Sequence, residues 1–313
     1  MRRICCFMLA YQRTFKKGTK ESYMNKNIRL NFLPLYFLVA INVIFSSAAH
    51  ATHSWGSYHW ARMANPFTLK LGDNLTSKEW KAYLSTASRD WNSPENVDPL
   101  QASPLLTSIV AGSGGKRCAS VSGTTQVCNG TYGNNGWLGL ATIYISGVHI
   151  TKGTAKMNDT YFNLSKYNNP NEKLHVMCQE VAHTFGLGHQ SENGESLNTC
   201  MDYFSNTGAN AGSTVSTTPN AHDFEELNII YGSHFDSTTT LSSSAANPSA
   251  PSQANDDVTN EPNSWGQLIS QSANGRSSTY ERHLSNGTRA ITHVYWTEEA
   301  AHRCPACDHR YDH

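Results

Sequence analysis

The stretch CQEVAHTFGLGHQ, residues 178–190, constrains the fold of this chain more than any other segment. Gln179 and His183 are four positions apart, so a helix places both side chains on one face. Gly186 accepts a positive φ and therefore allows the helix to end in a sharp turn. That turn returns His189 towards the helix as a third convergent group. The spacing thus predicts a helix, a glycine turn and a polar site between them.

The residue types at this site are those of a hydrolytic zinc centre. Histidine nitrogens bind zinc, which lowers the pKa of a bound water to about 7 and polarises a substrate carbonyl. Glu180 is placed beside the cluster to act as the general base on that metal-activated water. Gln179 is unusual here, because its neutral amide oxygen is a weaker donor than imidazole. We predict Gln179, His183 and His189 as zinc ligands, and calcium stays open as another ion.

Alternatives to this ligand set come from the same region and from the last helix. His175 lies about 12 Å from His183 along a helix axis, which is too far for both to bind one ion. His222 or a water molecule is the other candidate to complete the set. Taken singly, His183 and His189 could also be ordinary core histidines.

A second motif follows the first and resembles the Met-turn of the metzincin metallopeptidases. Cys200-Met201-Asp202-Tyr203 begins 11 residues beyond His189. The first stretch likewise resembles the E-x-x-H-x-x-G-x-x-H part of the metzincin pattern, which a further histidine normally heads. The Met-x-Tyr spacing is similar to the astacin and serralysin branches, where the tyrosine approaches the metal. The resemblance implies a structural role for Met201 and oxyanion stabilisation by Tyr203.

Several longer segments resemble a group of exported bacterial metzincin-like proteins, which also carries glutamine at the first ligand position. They are HVMCQEVAHTFGLGHQ, TCMDY, GWLGLATIYISG, HITKGTAKMNDTYF and PNAHDFEEL. The likeness covers roughly residues 55–235. It implies an α/β (α+β) fold with a twisted mixed sheet, a backing helix, an active-site helix, a Met-turn and a C-terminal helix.

Hydrophobic periodicity predicts the elements of such a domain. A capping-box pattern opens at Thr76, and Asn220 is a plausible cap for the last helix. The predicted strands and extended segments are 67–71, 105–110, 140–145 and 149–162, and the predicted helices are 76–91, 172–186 and 219–232. The strand around 140–150 is the predicted edge on which a substrate peptide could add as a further strand.

The N-terminal region, residues 1–51, is predicted to be a leader, with Met24 as its functional start. Lys26 and Arg29 precede an apolar run that is shorter than the roughly 20 residues of a membrane span, and Ala49-His50-Ala51 fits a signal-peptidase site. The alternative is a membrane anchor. We predict export, secreted or to the periplasm or cell envelope, with no integral membrane segment after cleavage.

Removal of the leader makes the chain acidic. Residues 1–51 hold 8 of the 24 Lys and Arg but only 1 of the 24 Asp and Glu. The remainder carries 16 basic and 23 acidic residues, a net charge of −7. Nucleic acid is bound through clustered Lys and Arg, so this balance argues against a nucleic-acid partner.

Six cysteines follow the leader, and an even count in an exported chain favours disulfides. Among about 15 possible pairings of six cysteines, the spacing favours Cys118 with Cys128 and Cys178 with Cys200, and separate buried thiols at Cys178 and Cys200 are the alternative. Cys304 and Cys307 lie in a Cys/His tail, residues 301–313, to which no function is assigned.

The C-terminal third is predicted to be less regular. Residues 52–236 form the predicted catalytic domain, and the polar residues 237–264 read as a flexible linker. Residues 265–300 predict a β-hairpin around Asn286-Gly287, too short for its own core and therefore docked on the main domain.

Together these features predict an exported zinc-dependent endopeptidase, acting as a monomer on protein or peptide substrates. The first rival is a catalytically impaired, protease-like binding protein for peptide or glycan, in which Gln179 marks a lost metal site. The second rival is a metal-dependent hydrolase of a non-peptide substrate. Loss of turnover with Glu180→Gln separates an enzyme from a binder.

Overall fold

The computed structural model describes residues 53–241, 258–285 and 287–303. The predicted leader, the middle of the predicted linker, Asn286 and the Cys304–Cys307 tail lie outside these residues. Within them the chain has a mixed α+β fold, which confirms the predicted class. The helices are α1 Lys78–Trp91, α2 Asp159–Phe162, α3 Pro170–His183, α4 Ala221–Gly232 and α5 Glu298–Arg303.

One mixed sheet organises the described residues. Its strands are β1 His59–Trp60, β2 Phe67–Asn74, β3 Leu105–Ala111, β4 Thr124–Gly130, β5 Trp137–Ser146, β6 His149–Asn158, β7 Gln267–Gln271, β8 Ser277–His283 and β9 Arg289–Trp296. They lie in the order β3-β2-β4-β6-β5-β9-β8-β7, and β1 pairs with β6 outside this path. The pairs among β1, β2, β3, β4 and β6 are parallel, and the pairs from β6 through β5 to β7 are antiparallel.

Helices α1 and α3 pack together beside the sheet. The buried side chains Trp80, Leu84 and Trp91 follow the helical repeat on α1, and they join the main hydrophobic core. Trp91 also donates its indole N–H to the Cys178 carbonyl on α3, at 3.4 Å. The backing helix therefore fixes the helix that carries the predicted site.

The helix starts differ slightly from the sequence expectation. The N-cap of α1 is Ser77, whose hydroxyl accepts from the Trp80 N–H, and not Thr76. Helix α3 begins at Pro170, two residues before the predicted Glu172, because proline suits the first turn and the Asn169 side chain caps it. The cap of α4 is Asn220, in a capping box with Asp223, as predicted.

The C-terminal strands are part of the main sheet. Strand β7 precedes the predicted hairpin, so residues 265–300 form a three-stranded meander and not a simple hairpin. A second buried cluster, which includes Trp137, Trp265 and Trp296, covers these strands. The ends of the predicted linker are also packed, since Thr240 N–H donates to Ala61 O and Val258 N–H to Tyr144 Oη.

The predicted peptide-binding edge is wrong, because β5 has a partner on both sides. It pairs with β6 through Gly139 and Met157, and with β9 through Ala141 and His293. The free edges of the described sheet are β3 and β7. Alternating patterns along β5 and β9 predict the two strands but not that they pair.

Both predicted disulfides are present, Cys118–Cys128 and Cys178–Cys200. The second joins α3 to the predicted Met-turn across 22 positions of the chain. Among the described residues, no helix has the length and apolar character of a membrane span.

Candidate metal centre

The end of α3 and the turn after it hold the first part of the site. Helix α3 stops at His183, and Gly186 has φ +98°, as the motif requires. A side chain at Gly186 would collide with the Tyr58 carbonyl oxygen. The turn brings His189 back against the helix, so that the Nε2 atoms of His183 and His189 are 3.0 Å apart.

Hydrogen bonds at the other ring nitrogens fix the tautomers of these two histidines. His183 Nδ1 lies 2.8 Å from the Leu187 carbonyl oxygen, and His189 Nδ1 lies 3.1 Å from Glu192 Oε1. Both oxygens accept, so each Nδ1 carries the hydrogen and each neutral ring presents an Nε2 lone pair. Two lone pairs at this distance repel each other, and a cation between them would remove the repulsion.

A third histidine reaches the same point from the C-terminal strands. His293 on β9 is wholly buried, and its ring centroid lies 4.0 Å from that of His183 and 4.6 Å from that of His189. One ligand nitrogen from each of the three rings lies within 4.8 Å of the others. His293 Nδ1 has no hydrogen-bond partner, which leaves it available as a donor.

The donor set fits zinc. Three neutral imidazoles are a common catalytic zinc environment, and the carbonyl and carboxylate at the Nδ1 atoms are typical of the groups that orient such ligands. Burial, with the neighbouring rings, lowers the pKa of His183 and His293 well below the usual value, and burial lowers that of His189. The rings therefore favour the neutral form, which is the form that binds a metal ion.

Glu180 lies beside the three rings, as the motif predicts. It is wholly buried, and its Oε2 is 3.7 Å from His293 Nδ1. Gly139 on β5 makes room for its carboxyl, because no side chain fits there. Neither carboxyl oxygen has a hydrogen-bond partner among the described residues, and burial raises the pKa of Glu180 well above its usual value. Such a carboxyl binds a proton more strongly than an exposed one, as a general base should.

Tyr203 also contacts the cluster. Its hydroxyl lies 2.8 Å from His293 Nε2, and its ring centroid lies 4.4 Å from that of His189. Burial raises the pKa of this phenol well above the usual value, so the hydroxyl keeps its proton and can donate a hydrogen bond. The proton-donating role predicted for Tyr203 is compatible with this placement.

Gln179 braces the predicted Met-turn. Its amide nitrogen donates to the carbonyl oxygens of Cys200 and Asp202, at 2.8 and 2.9 Å. Met201 is fully buried in the main core between these two residues. The role of Gln179 as a zinc ligand stays a prediction, and His293 is a competing imidazole donor that the motif did not indicate.

The alternative ligands from the sequence lie elsewhere. His222 is in the first turn of α4, with its ring stacked on that of His53 at 5.0 Å. His175 is one turn before Gln179, and its Nε2 lies 3.5 Å from the Gln179 amide nitrogen. Neither belongs to the group of His183, His189 and His293.

The centre is covered by the two ends of the described domain. The N-terminal segment stacks Trp55 on His183, with ring planes within 5° and centroids 5.0 Å apart. Strand β9 covers an adjacent side through His293, whose ring centroid lies 6.1 Å from that of Trp55. A cavity of about 430 Å³ opens beside His189, with Trp55, Tyr58 and Ile269 among its lining residues. This volume is in the range of ligand-binding pockets.

His293 was missed because no local motif marks it. It lies 104 positions after His189 and belongs to the run ITHVYW. One signal was available: a strand places Ile291, His293 and Tyr295 on one face, and its two large apolar or aromatic members mark that face as buried. A histidine on such a face needs a buried partner.

Comparison of the sequence with models of known protein families gives no match. Comparison with curated proteins also gives none.

Proposed function

We propose that this chain is an exported zinc-dependent endopeptidase in which His183, His189 and His293 hold the metal. The observation that carries the proposal is the convergence of three buried imidazoles, two of them with their lone pairs turned towards each other. A fully buried carboxyl, Glu180, lies against the third ring. This combination of donors and base is that of metal-assisted hydrolysis.

Each residue has a distinct task in this proposal. Zinc held by His183, His189 and His293 would supply Lewis acidity for a substrate carbonyl. Glu180 takes a proton from the attacking water, and burial of its carboxyl strengthens it as a base. Tyr203 donates a hydrogen bond to the developing oxyanion, and His293 Nε2 holds its hydroxyl in position. Gln179 keeps the Met-turn in place under the ligands.

The substrate class rests on the cavity and on the resemblance described above. The cavity beside His189 is lined by aromatic, aliphatic and hydroxyl-bearing residues, including Trp55, Ile269 and Thr279, which suit a peptide segment. The two disulfides fit an oxidising compartment, in agreement with the predicted leader.

A second candidate function is a binding protein with a structural metal. It is favoured by burial, because Glu180, His183 and His293 have no exposed surface. An enzyme of this structure has to admit its substrate through the cavity beside His189. Cleavage of a peptide library by the wild type, lost in Glu180→Gln with zinc retained, would support the enzyme over the binder.

The ligand assignment is tested by zinc content, measured by mass spectrometry on protein purified without chelators. We expect His293→Ala to lose one equivalent relative to the wild type and Gln179→Ala to keep it. His283→Ala is the matched control, because this histidine is 80% exposed. Zinc loss in Gln179→Ala but not in His293→Ala would return the ligand role to Gln179.

A further inference from the structure

A second group of histidines lies outside the candidate metal centre, where β1 and the segment after α4 lie beside the start of β6. His59 is the first residue of β1, and His149 is the first residue of β6. These two residues are partners in the parallel pairing of β1 with β6. His234 and Asp236 lie in the segment that follows α4.

The side chains of this group converge on one carboxylate oxygen. Asp236 Oδ1 lies 3.1 Å from His149 Nε2, 3.5 Å from His59 Nε2 and 3.9 Å from His234 Nε2. The Nε2 atoms of His59 and His234 are only 3.2 Å apart. The Nε2 atoms of His59 and His234 and an Asp236 carboxylate oxygen therefore lie within 4.8 Å of one another, and His149 lies beside them through its contact with the carboxylate.

The hydrogen bond at the far side of His59 decides what its Nε2 can do. His59 Nδ1 lies 2.7 Å from the Ser57 carbonyl oxygen, which only accepts, so Nδ1 carries the hydrogen. The neutral ring then presents an Nε2 lone pair to the Asp236 carboxylate and to His234 Nε2. Such a contact between electron pairs is repulsive unless a proton or a metal ion lies among them, and a metal ion can bind all three groups at once.

The other oxygen of Asp236 is held by Arg62. Asp236 Oδ2 accepts from the Arg62 backbone N–H at 3.1 Å and from Arg62 Nη1 at 3.0 Å. Arg62 is buried and also donates to the His234 carbonyl oxygen at 2.6 Å. The Arg62 Nη1 atom reaches His234 Nε2 only at 3.5 Å. Ligating carboxylates and histidines are typically oriented by such outer contacts.

We propose that His59, His234 and Asp236 form a second metal site that binds a divalent transition metal, with zinc as the best fit. Two imidazoles and one carboxylate oxygen are ligand types that zinc prefers, and His149, which donates to Asp236 Oδ1, orients the carboxylate. The side chain of His234 is 43% exposed and that of His149 is 35% exposed, so an ion can enter from solvent.

The consequence of binding is structural. His59 and Asp236 are 177 positions apart, so an ion between them closes a long loop in the unfolded chain. The ion would also connect the two-residue strand β1 to the segment after α4. A hydrogen bond from the Asp236 N–H to the carbonyl oxygen of Arg62, just after β1, already joins these two parts of the chain. The N-terminal segment that stacks Trp55 on His183 lies directly before this strand in the chain.

The test is zinc stoichiometry of the exported chain, stripped with a chelator, dialysed against zinc chloride and analysed by mass spectrometry. Cys304→Ser/Cys307→Ser is the background, so that the tail thiols add no ion. We expect two equivalents in this background, one in His234→Ala, one in His183→Ala and none when both are combined. His283→Ala, the exposed control, keeps both. Equal zinc content with and without His234→Ala would overturn the proposal.

A second readout works in the His183→Ala variant, where only the proposed site remains. Zinc chloride should raise its melting temperature, and the additional change His234→Ala should abolish the rise. A melting temperature that does not respond to zinc in His183→Ala would also overturn the proposal. Because different substitutions remove the two proposed metal sites, the experiment tests each site separately.

Discussion

Gly139→Ala tests the position of Glu180 most directly. A Cβ at Gly139 would lie 2.7 Å from Cδ and 2.8 Å from Cγ of Glu180, where ordinary contacts begin at 3.4 Å. Strand β5 cannot withdraw, because Gly139 pairs with Met157 on one side and with Tyr295 on the other. The Glu180 carboxyl therefore has to move, by about 1 Å, to restore van der Waals distance.

The expected effect on catalysis follows from that displacement. Misplacement of a reacting group by about 1 Å can cost about 100-fold in rate. We expect kcat for peptide hydrolysis to fall by about this factor while zinc content stays at the wild-type value. Gly153→Ala is the control: it crowds Thr125 on the neighbouring strand and Thr184 at the C-cap of α3, and not Glu180. An equal loss in Gly153→Ala would refute the reasoning, because general distortion of the sheet would then explain both.

The same contact can be measured without any substrate. Overpacking of a core typically costs about 1–3 kcal/mol, so Gly139→Ala should lower the free energy of unfolding by that amount. In a Glu180→Ala background the added methyl group has space, and the cost should largely disappear. A double-mutant cycle in urea gives the coupling energy. Additive effects of Gly139→Ala and Glu180→Ala would contradict the packing described for this site.

Two further predictions concern stability. Burial, only partly opposed by the Arg276 charge, raises the pKa of Glu172 from 4.5 to about 7. The folded state therefore binds the proton more tightly, so this stabilisation is complete below pH 4.5 and is lost as the pH rises through about 7, by about 3 kcal/mol. Urea unfolding at pH 5 and pH 8 should show this loss in the wild type and not in Glu172→Gln; equal losses would contradict it. Removing Cys178–Cys200 by paired alanines should cost about 3 kcal/mol and weaken zinc binding, whereas removing Cys118–Cys128 should cost a similar amount and leave zinc binding unchanged. Equal zinc affinity in the two cysteine variants, measured by competition with a chelator, would refute the proposed link from α3 to the Met-turn.

Local sequence signals predicted most of the elements that position the site. The helix over residues 172–186, its stop near Gly186 and the return of His189 all depend on interactions within a few turns of chain. The capping box at Asn220 is equally local. Both disulfides followed from spacing, because each joins segments close in sequence. These features could be predicted because propensity, capping and backbone freedom act over short distances.

Pairing between distant strands could not be predicted in the same way. Strand β5 reads as an edge from its own sequence, and only the β5–β9 register, with Ala141 opposite His293, removes that edge. The sequence of β9 does not indicate which strand it pairs with. The small strands β1 and β7 were missed for a related reason, since they are short and are defined by their partners.

The position of His293 changes how the glutamine in the helix motif is understood. Read alone, Gln179 indicates a weakened metal site, because an amide replaces an imidazole on the helix face. In the proposed metal centre the third imidazole comes from β9, and the Gln179 amide holds two carbonyl groups of the predicted Met-turn. A histidine at position 179 would have to give up at least one of these hydrogen bonds, since a neutral ring has a single N–H to donate. The substitution and the docking of β9 are then two parts of one arrangement, in which the C-terminal strands complete a site that the helix only begins.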